Sequence, residues 1–284
     1  MHLLRLAAAM LAALLVALSA AAQTKPKPEA YEPHVGQAGK DVIWVPTPDE
    51  VVERMLRMAQ VTPNDYVVDL GAGDGKIAIM AAKKFGARAM GIEYNPDMAR
   101  HAQRNAEKAG IASRARIVQG DIFVTDFTQA TVLTMYLLPA LNLKLRPQIL
   151  AMRPGTRVVS HSFNMDDWEP DESSSMDGRR AYYWVVPAKV AGTWSLELTG
   201  GGAAEKSELT LEQRYQKLEG TVSLGAAVLG GLREPRLRGF DIAFAYIDNS
   251  SVRRELSGRV SGNRMEGSFR TDAGTEGRWV ATKK

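Results

Sequence analysis

The chain has 284 residues, with 45% hydrophobic and 24% charged residues and a formal net charge of +4, the profile of a soluble protein with room for more than one core. Its lysines and arginines are interspersed with acids, which speaks against a dedicated nucleic-acid surface. Cysteine is absent and histidine occurs four times. Disulfides, thiolate nucleophiles and Cys-ligated metals are therefore excluded, and a histidine-rich metal centre is not expected.

In chain order, Arg5 precedes an apolar run from Leu6 to Leu18, and Ala20-Ala21-Ala22 supplies small residues for cleavage before Gln23. Residues 1–22 read as a signal peptide, so the expected location is outside the cytoplasm, in the periplasm. The alternative is an uncleaved membrane anchor, because the run to Ala22 approaches a minimal span. No later stretch is long and apolar enough to cross a bilayer. Residues 23–46 are rich in Pro and Gly and read as an extended arm. Thr47-Pro48-Asp49-Glu50 then marks a helix start, with Thr47 as N-cap, Pro48 at the first helical position and Glu50 closing a capping box. Val52, Met55, Leu56 and Ala59 follow at helical spacing as one buried stripe.

Strands and helices alternate from here to residue 188. Strand 66–70 leads through a glycine turn to a helix over 74–85, and strand 88–92 to a helix opened by Asn95-Pro96 and closed by Gly110. Strands at 115–119 and 131–136, a helix interrupted at Pro147, and strands at 156–161 and 181–187 complete the run. This order predicts a Rossmann-like, doubly wound, mostly parallel α/β sheet covered on both faces, within a domain at 47–188. Within it, "NMDDWEPDESSSMDG" at 164–178 carries six acids and reads as a solvated loop. A rival role for Asp166, Asp167 and Glu169 is attraction of a cationic substrate.

From about Lys189 the pattern changes to one-face-buried alternation, as in Trp194, Leu196, Leu198 and Phe240, Ile242, Phe244, Tyr246. Residues 189–284 are expected to form a small all-β antiparallel domain, a meander or barrel closing on itself. An apolar-x-Gly unit recurs at Leu218-Gly220, Leu237-Gly239, Leu256-Gly258 and Met265-Gly267, read as comparable bends or bulges.

The chemistry sits in the turn. A hydrophobic strand ending at Asp69 runs into Gly71-x-Gly73-x-Gly75, where a sharply turning backbone approaches a ligand and the next helix aims its amides at it. There is no G-x-x-x-x-G-K-[ST] for a P-loop, and the third glycine comes one residue early for a dinucleotide fingerprint. Glu93 ends the second strand, where it can take both hydroxyls of a ribose, and Asp121 follows the third, where an adenine amino group would lie. These acids converge on the switch point of the sheet.

With "VVDLGAGDG", "GIEYNP" and "VQGDIF" in that order, residues 41–187 resemble the class I, seven-stranded S-adenosylmethionine-dependent methyltransferases. The resemblance implies S-adenosylmethionine as cofactor, with Asp69, Gly71, Gly73 and Gly75 at its methionine end, Glu93 at the ribose and Asp121 at the adenine. "WVPTPDEVVERML", "DLGAGDGKI" and "GIEYNP" are closer to the mitochondrial-type protein-lysine methyltransferases, which modify the c-ring protein of ATP synthase and the adenine nucleotide translocase.

Methyl transfer from a sulfonium is an in-line displacement that needs alignment, exclusion of water and a neutral nucleophile. Strand four ends in Tyr136-Leu137-Leu138-Pro139 rather than an Asp or Asn before Pro-Pro and an aromatic, which argues against methylation of nucleic-acid bases. Tyr136 is the candidate catalytic residue, with Trp44 and His161 as candidates to line a dry channel; each also has an ordinary packing role. The expected acceptor is a nitrogen, of a protein lysine or a small-molecule amine, with no metal and no nucleic-acid partner. The alternative from another class is an exported, non-catalytic binding protein that keeps the fold and works through its β region.

Overall fold

The computed structural model describes residues 31–200 and 202–284; the signal-peptide expectation for residues 1–22 lies outside them. Seven strands form the first sheet: β1 (Tyr66–Leu70), β2 (Arg88–Glu93), β3 (Ala115–Gln119), β4 (Val132–Met135), β5 (Arg157–His161), β6 (Glu172–Met176) and β7 (Arg179–Val185). Their order is β3-β2-β1-β4-β5-β7-β6. The first five are parallel, and β7 and β6 add an antiparallel edge. The strand order reverses between β1 and β4, so the glycine turn after β1 opens at the switch point.

Four helices cover the sheet: α1 (Asp49–Met58), α2 (Lys76–Phe85), α3 (Pro96–Lys108) and α4 (Pro139–Leu150). Strand alternation divides the core. Val67 and Val132 face Met55, Leu56, Ala78 and Ala102 from α1–α3, whereas Val68, Leu70, Leu133 and Met135 face Leu145 and Ile149 from α4. All four residues of β4 are buried, as expected of a parallel strand covered on both faces.

Several expectations are corrected. Helix α4 runs through Pro147 without interruption. The proline removes one amide from the ladder, but burial of Leu145 and Ile149 on either side holds the turn against the sheet. Thr47 is not the N-cap of α1. Pro48 occupies that position with no side-chain cap, and the Thr47 hydroxyl turns to His161 instead. The arm is not simply extended: an Ala38–Ile43 bridge and backbone bonds joining Gly36 to Trp44, Trp44 to Gln37 and Gly39 to Val42 fold residues 36–44 into a small hairpin.

Nine antiparallel strands form the second sheet: β8 (Gly192–Thr199), β9 (Glu205–Arg214), β10 (Lys217–Leu224), β11 (Ala227–Gly231), β12 (Arg233–Arg238), β13 (Asp241–Ile247), β14 (Arg253–Ser261), β15 (Arg264–Thr271) and β16 (Glu276–Lys283). Their order is β11-β10-β9-β8-β16-β15-β14-β13-β12. The two end strands are consecutive in the chain and joined at Leu232, so the sheet curls into a nearly closed barrel. Trp194 and Trp279 are fully buried in its core, and their indole N–H groups donate to the carbonyls of Val190 and Ser257. The repeated glycines do not mark bulges, which fall at Val222/Ser223 and around Arg233/Arg236. Gly258 and Gly267 face each other across β14 and β15, and a Cβ at Gly258 would sit 2.7 Å from the Trp279 ring. Glycine here makes room for an aromatic.

The acidic 164–178 segment is likewise not a solvated loop. Residues 172–176 form edge strand β6, and the preceding turn ties the two sheets together. Asp167 pairs with Arg146 of α4 and Arg214 of β9 and accepts from the Tyr215 hydroxyl; Glu169 pairs with Lys217 at 2.7 Å. The hydrogen bond from Arg214, then that from Arg146, holds the Asp167 carboxyl down at about 2. Asp167 and Glu169 are thus spoken for by cations of the chain, which removes the cationic-substrate role offered for them together with Asp166. Trp168 is fully buried between Trp184 and Tyr215, ring centroids 5.9 Å from each, and its Nε1 donates to Gln216 Oε1 at 3.0 Å. Trp168→Ala should cost about 3–5 kcal/mol, read as a lower denaturant midpoint for the sheet and the barrel together. An unchanged midpoint would show that the two are not coupled there.

Candidate functional site

A cleft of about 1000 Å³, counted out to its open mouth, lies at the C-terminal edge of β1, β2 and β4. Its floor is the turn after β1. Gly71, Gly73 and Gly75 have φ of 80°, 54° and 84°, left-handed values that glycine adopts without strain. The amides of Gly71 and Ala72 both bond to the Ile92 carbonyl, which clamps the turn onto the end of β2. Gly91 permits the clamp, since a Cβ there would lie 2.6 Å from that of Ala72.

The acids that end the strands meet at this cleft. Asp69 is 2% exposed and accepts from the Thr134 hydroxyl at 2.8 Å. Burial, with the charges of Asp74 and Glu93 adding to it, pushes its carboxyl up to about 7 against the Thr134 bond. Glu93 accepts the amides of Asn95 and Gly73, both at 2.9 Å, and burial raises its carboxyl too. Neither makes an ion pair among the described residues. Lys76, which lines the cleft, is drawn to Asp49 at 2.9 Å. Asp121 lies at the rim, where the hydrogen bond from Lys40 at 2.7 Å and the Phe123 amide hold its carboxyl low.

The arm hairpin roofs the cleft. The Trp44 ring rests on Gly73, where a Cβ would lie 2.5 Å from Nε1. Lys40 reaches Asp121 and lies 4.5 Å above the Tyr94 ring. Tyr136 lines the cleft beyond β4, with its ring centroid 4.0 Å from that of His161 and 6.3 Å from that of Phe163. His161 is buried behind Tyr136. Its Nδ1 meets the Thr47 hydroxyl at 3.1 Å, while Nε2 is buried with no partner. Burial, then the Arg179 charge, depresses its pKa to about 4.

Asp69, Gly71, Gly73, Glu93, Asp121, Trp44 and Tyr136 all line the one cleft, and Gly75 caps α2 beneath it. His161 supports Tyr136 from behind rather than lining the cleft. Lys40, Tyr94 and the hairpin escaped the sequence reading. Their signal was present in the two glycines of "VGQAGKD" before the β-prone "VIWV".

Asp69 and His161 pull stability in opposite directions with pH. Asp69 has a folded pKa above its ordinary 3.8, so its contribution is complete below about pH 4 and is lost as pH rises to about 7. His161 has a folded pKa below its ordinary 6.5, so its contribution is complete above about pH 6.5 and is lost as pH falls to about 4. Asp69→Asn should therefore gain roughly 1–4 kcal/mol on the parent protein between pH 4 and pH 7, measured as the difference in urea stability. A pH-independent difference would contradict the assignment.

Comparison with known proteins agrees with this geometry. Residues 69–172 match the ANTKMT methyltransferase domain, a span that ends before β8. A crystal structure described as an RNA methyltransferase from Salinibacter ruber in complex with S-adenosyl-L-homocysteine is 48% identical. It covers 51% of this chain and 96% of that one with a TM-score of 0.51, which bears out the Rossmann-like sheet. An adenine nucleotide translocase lysine N-methyltransferase of Mus musculus is 33% identical over 121 residues, 42% of this chain but only 52% of that protein. A protein-lysine N-methyltransferase of Saccharolobus islandicus is 47% identical over 145 residues, covering 50% of this chain and 86% of that protein. Identity at that level over most of the archaeal protein makes the two members of one family, and the chain belongs to the protein-lysine N-methyltransferases.

Proposed function

We propose that the chain transfers a methyl group from S-adenosylmethionine to the side-chain nitrogen of a protein lysine. The observation that carries the cofactor is the buried Asp69 with the half-buried Glu93, neither in an ion pair among the described residues; the lysine acceptor rests on the likeness to the archaeal protein-lysine N-methyltransferase. A buried charge needs a partner, and a cofactor bearing a sulfonium, an α-ammonium and a ribose diol supplies partners of the required kind. In this reading Asp69 and the Gly71–Gly75 turn hold the methionine end. Each Glu93 oxygen already takes one amide and keeps a lone pair for a ribose hydroxyl. Asp121 receives the adenine amino group once Lys40 withdraws.

Bound S-adenosylmethionine supplies the electrophile: its methyl carbon bonds to the amine as the carbon–sulfur bond breaks, leaving S-adenosylhomocysteine and a proton on nitrogen. The residues around Tyr136 act by excluding water, which lowers the amine pKa and frees its lone pair. His161, held at about 4, is too weak a base to keep the released proton at neutral pH, so the proton passes to water. A small-molecule amine and the RNA named for the Salinibacter protein are the competing acceptors. Tyr136-Leu137-Leu138-Pro139 offers no side-chain carboxylate or amide to grip the amino group of a base.

Glu93→Ala should weaken S-adenosylmethionine binding by about 1.5–3 kcal/mol, or roughly ten- to a hundredfold, measured by calorimetry. Methyl label from the cofactor should then appear as methyllysine in acid-hydrolysed protein, and not in RNA or small amines incubated in parallel. No cofactor binding by the folded protein, or label confined to RNA, would reject the reading.

We further infer that the protein works outside the cytoplasm, on the strength of Arg5, the apolar run and the alanines before Gln23. That location requires cofactor delivered from the cytosol. Alkaline phosphatase fused after residue 30 should be active; an inactive fusion beside an active β-galactosidase fusion at the same point would place the enzyme in the cytoplasm.

A further inference from the structure

A second cavity adjoins the cofactor cleft. The two share the hairpin wall between Ala38 and Val45, except Lys40 and Trp44, together with Tyr136 and Leu137, and Leu138 and Phe163 close the outer one. This outer groove is apolar, and its rim is exposed: Ile43 is 63% and Leu138 43% accessible. Among the described residues Asp41 is the one carboxylate that lines it. Asp41 makes no ion pair among the described residues, because neighbouring Lys40 is taken by Asp121. The hairpin thus commits its cation to Asp121 and leaves Asp41, at the boundary of the two cavities, with no ion pair among the described residues.

Resting on the methyltransferase reading above, we propose that Asp41 is a specificity-determining residue that captures the ammonium of a lysine flanked by aliphatic residues, whose side chains lie in the groove on Ile43, Val45 and Leu138. Charge complementarity at Asp41, the apolar lining and continuity with the cofactor cleft through Tyr136 select this occupant. Asp41 acts on capture and not on transfer. A carboxylate beside an amine favours its charged form, whereas the attacking nitrogen must be neutral. The lysine is held as a cation at the exposed hairpin and gives up its proton further in, beside Tyr136. Loss of Asp41 therefore shows in KM and leaves kcat nearly unchanged.

The test uses the full chain saturated with S-adenosylhomocysteine and three acetylated, amidated pentapeptides: Ala-Leu-Lys-Val-Ala, the same with norleucine for lysine, and Ala-Glu-Lys-Glu-Ala. The first should bind about tenfold more tightly than either of the others. Asp41→Asn, itself saturated with S-adenosylhomocysteine, should lose the preference for lysine over norleucine. With S-adenosylmethionine, KM for the first peptide should rise about tenfold and kcat change less than twofold. A retained lysine preference in the variant, or no binding of the first peptide by the loaded parent protein, overturns the proposal and leaves the cofactor reading standing. Failure of the parent protein to bind S-adenosylhomocysteine overturns both.

Discussion

One buried and one half-buried carboxylate, Asp69 and Glu93, with no ion pair among the described residues, set the terms for the rest of the cleft. Burying an ionised group is costly unless hydrogen bonds or an opposite charge replace its water. The Thr134 hydroxyl and the amides of Gly73 and Asn95 supply part of that replacement. A proton on Asp69 or a positively charged guest supplies the remainder. The cations within reach are held elsewhere, Lys76 by Asp49 and Lys40 by Asp121. The uncompensated negative charge therefore sits where the turn, the clamp on Ile92 and the hairpin converge.

The hairpin gives that charge a roof. Trp44 rests on a glycine that has no side chain to lift it, so the conformation of the turn and the position of the arm are one piece of packing. The same few residues wall the outer groove. A displacement of the hairpin is felt on both sides of it, at the adenine end through Lys40 and at Tyr136 through the shared wall.

What could be read in the sequence divides along a physical line. The sheet, the turn and the strand-end acids were legible because backbone demands leave residue-type marks: glycine where φ is positive, continuous apolar runs where both faces are covered, an acid where a buried strand ends. The barrel was legible by its alternation. Strand β6 was not, because Glu172-Ser173-Ser174-Ser175-Met176 is an edge strand with little buried face and carries no alternating apolar signal. Thr47 was misread because a hydroxyl can cap a helix locally or serve a distant partner, and His161 is 114 residues away. The Asp166–Glu169 turn read as solvated for the same reason: its partners Arg146, Arg214 and Lys217 are far off in the chain. Local pattern carries backbone geometry well and long-range pairing poorly.

The way the barrel closes bears on the order in which the molecule is made. Strand β16 pairs with β8, with Trp279 opposite Leu198, so the first and last strands of the barrel are neighbours although a whole sheet separates them in the chain. Pairings between distant segments form late, since the loop between them must first be closed. Trp279 also fills the centre of the core, stacked edge-on to Phe244. As the ribosome releases the chain from its N-terminal end, the first sheet has all of its strands while the barrel still lacks both its closing strand and its central aromatic. The first sheet can settle before the barrel, which waits for β16.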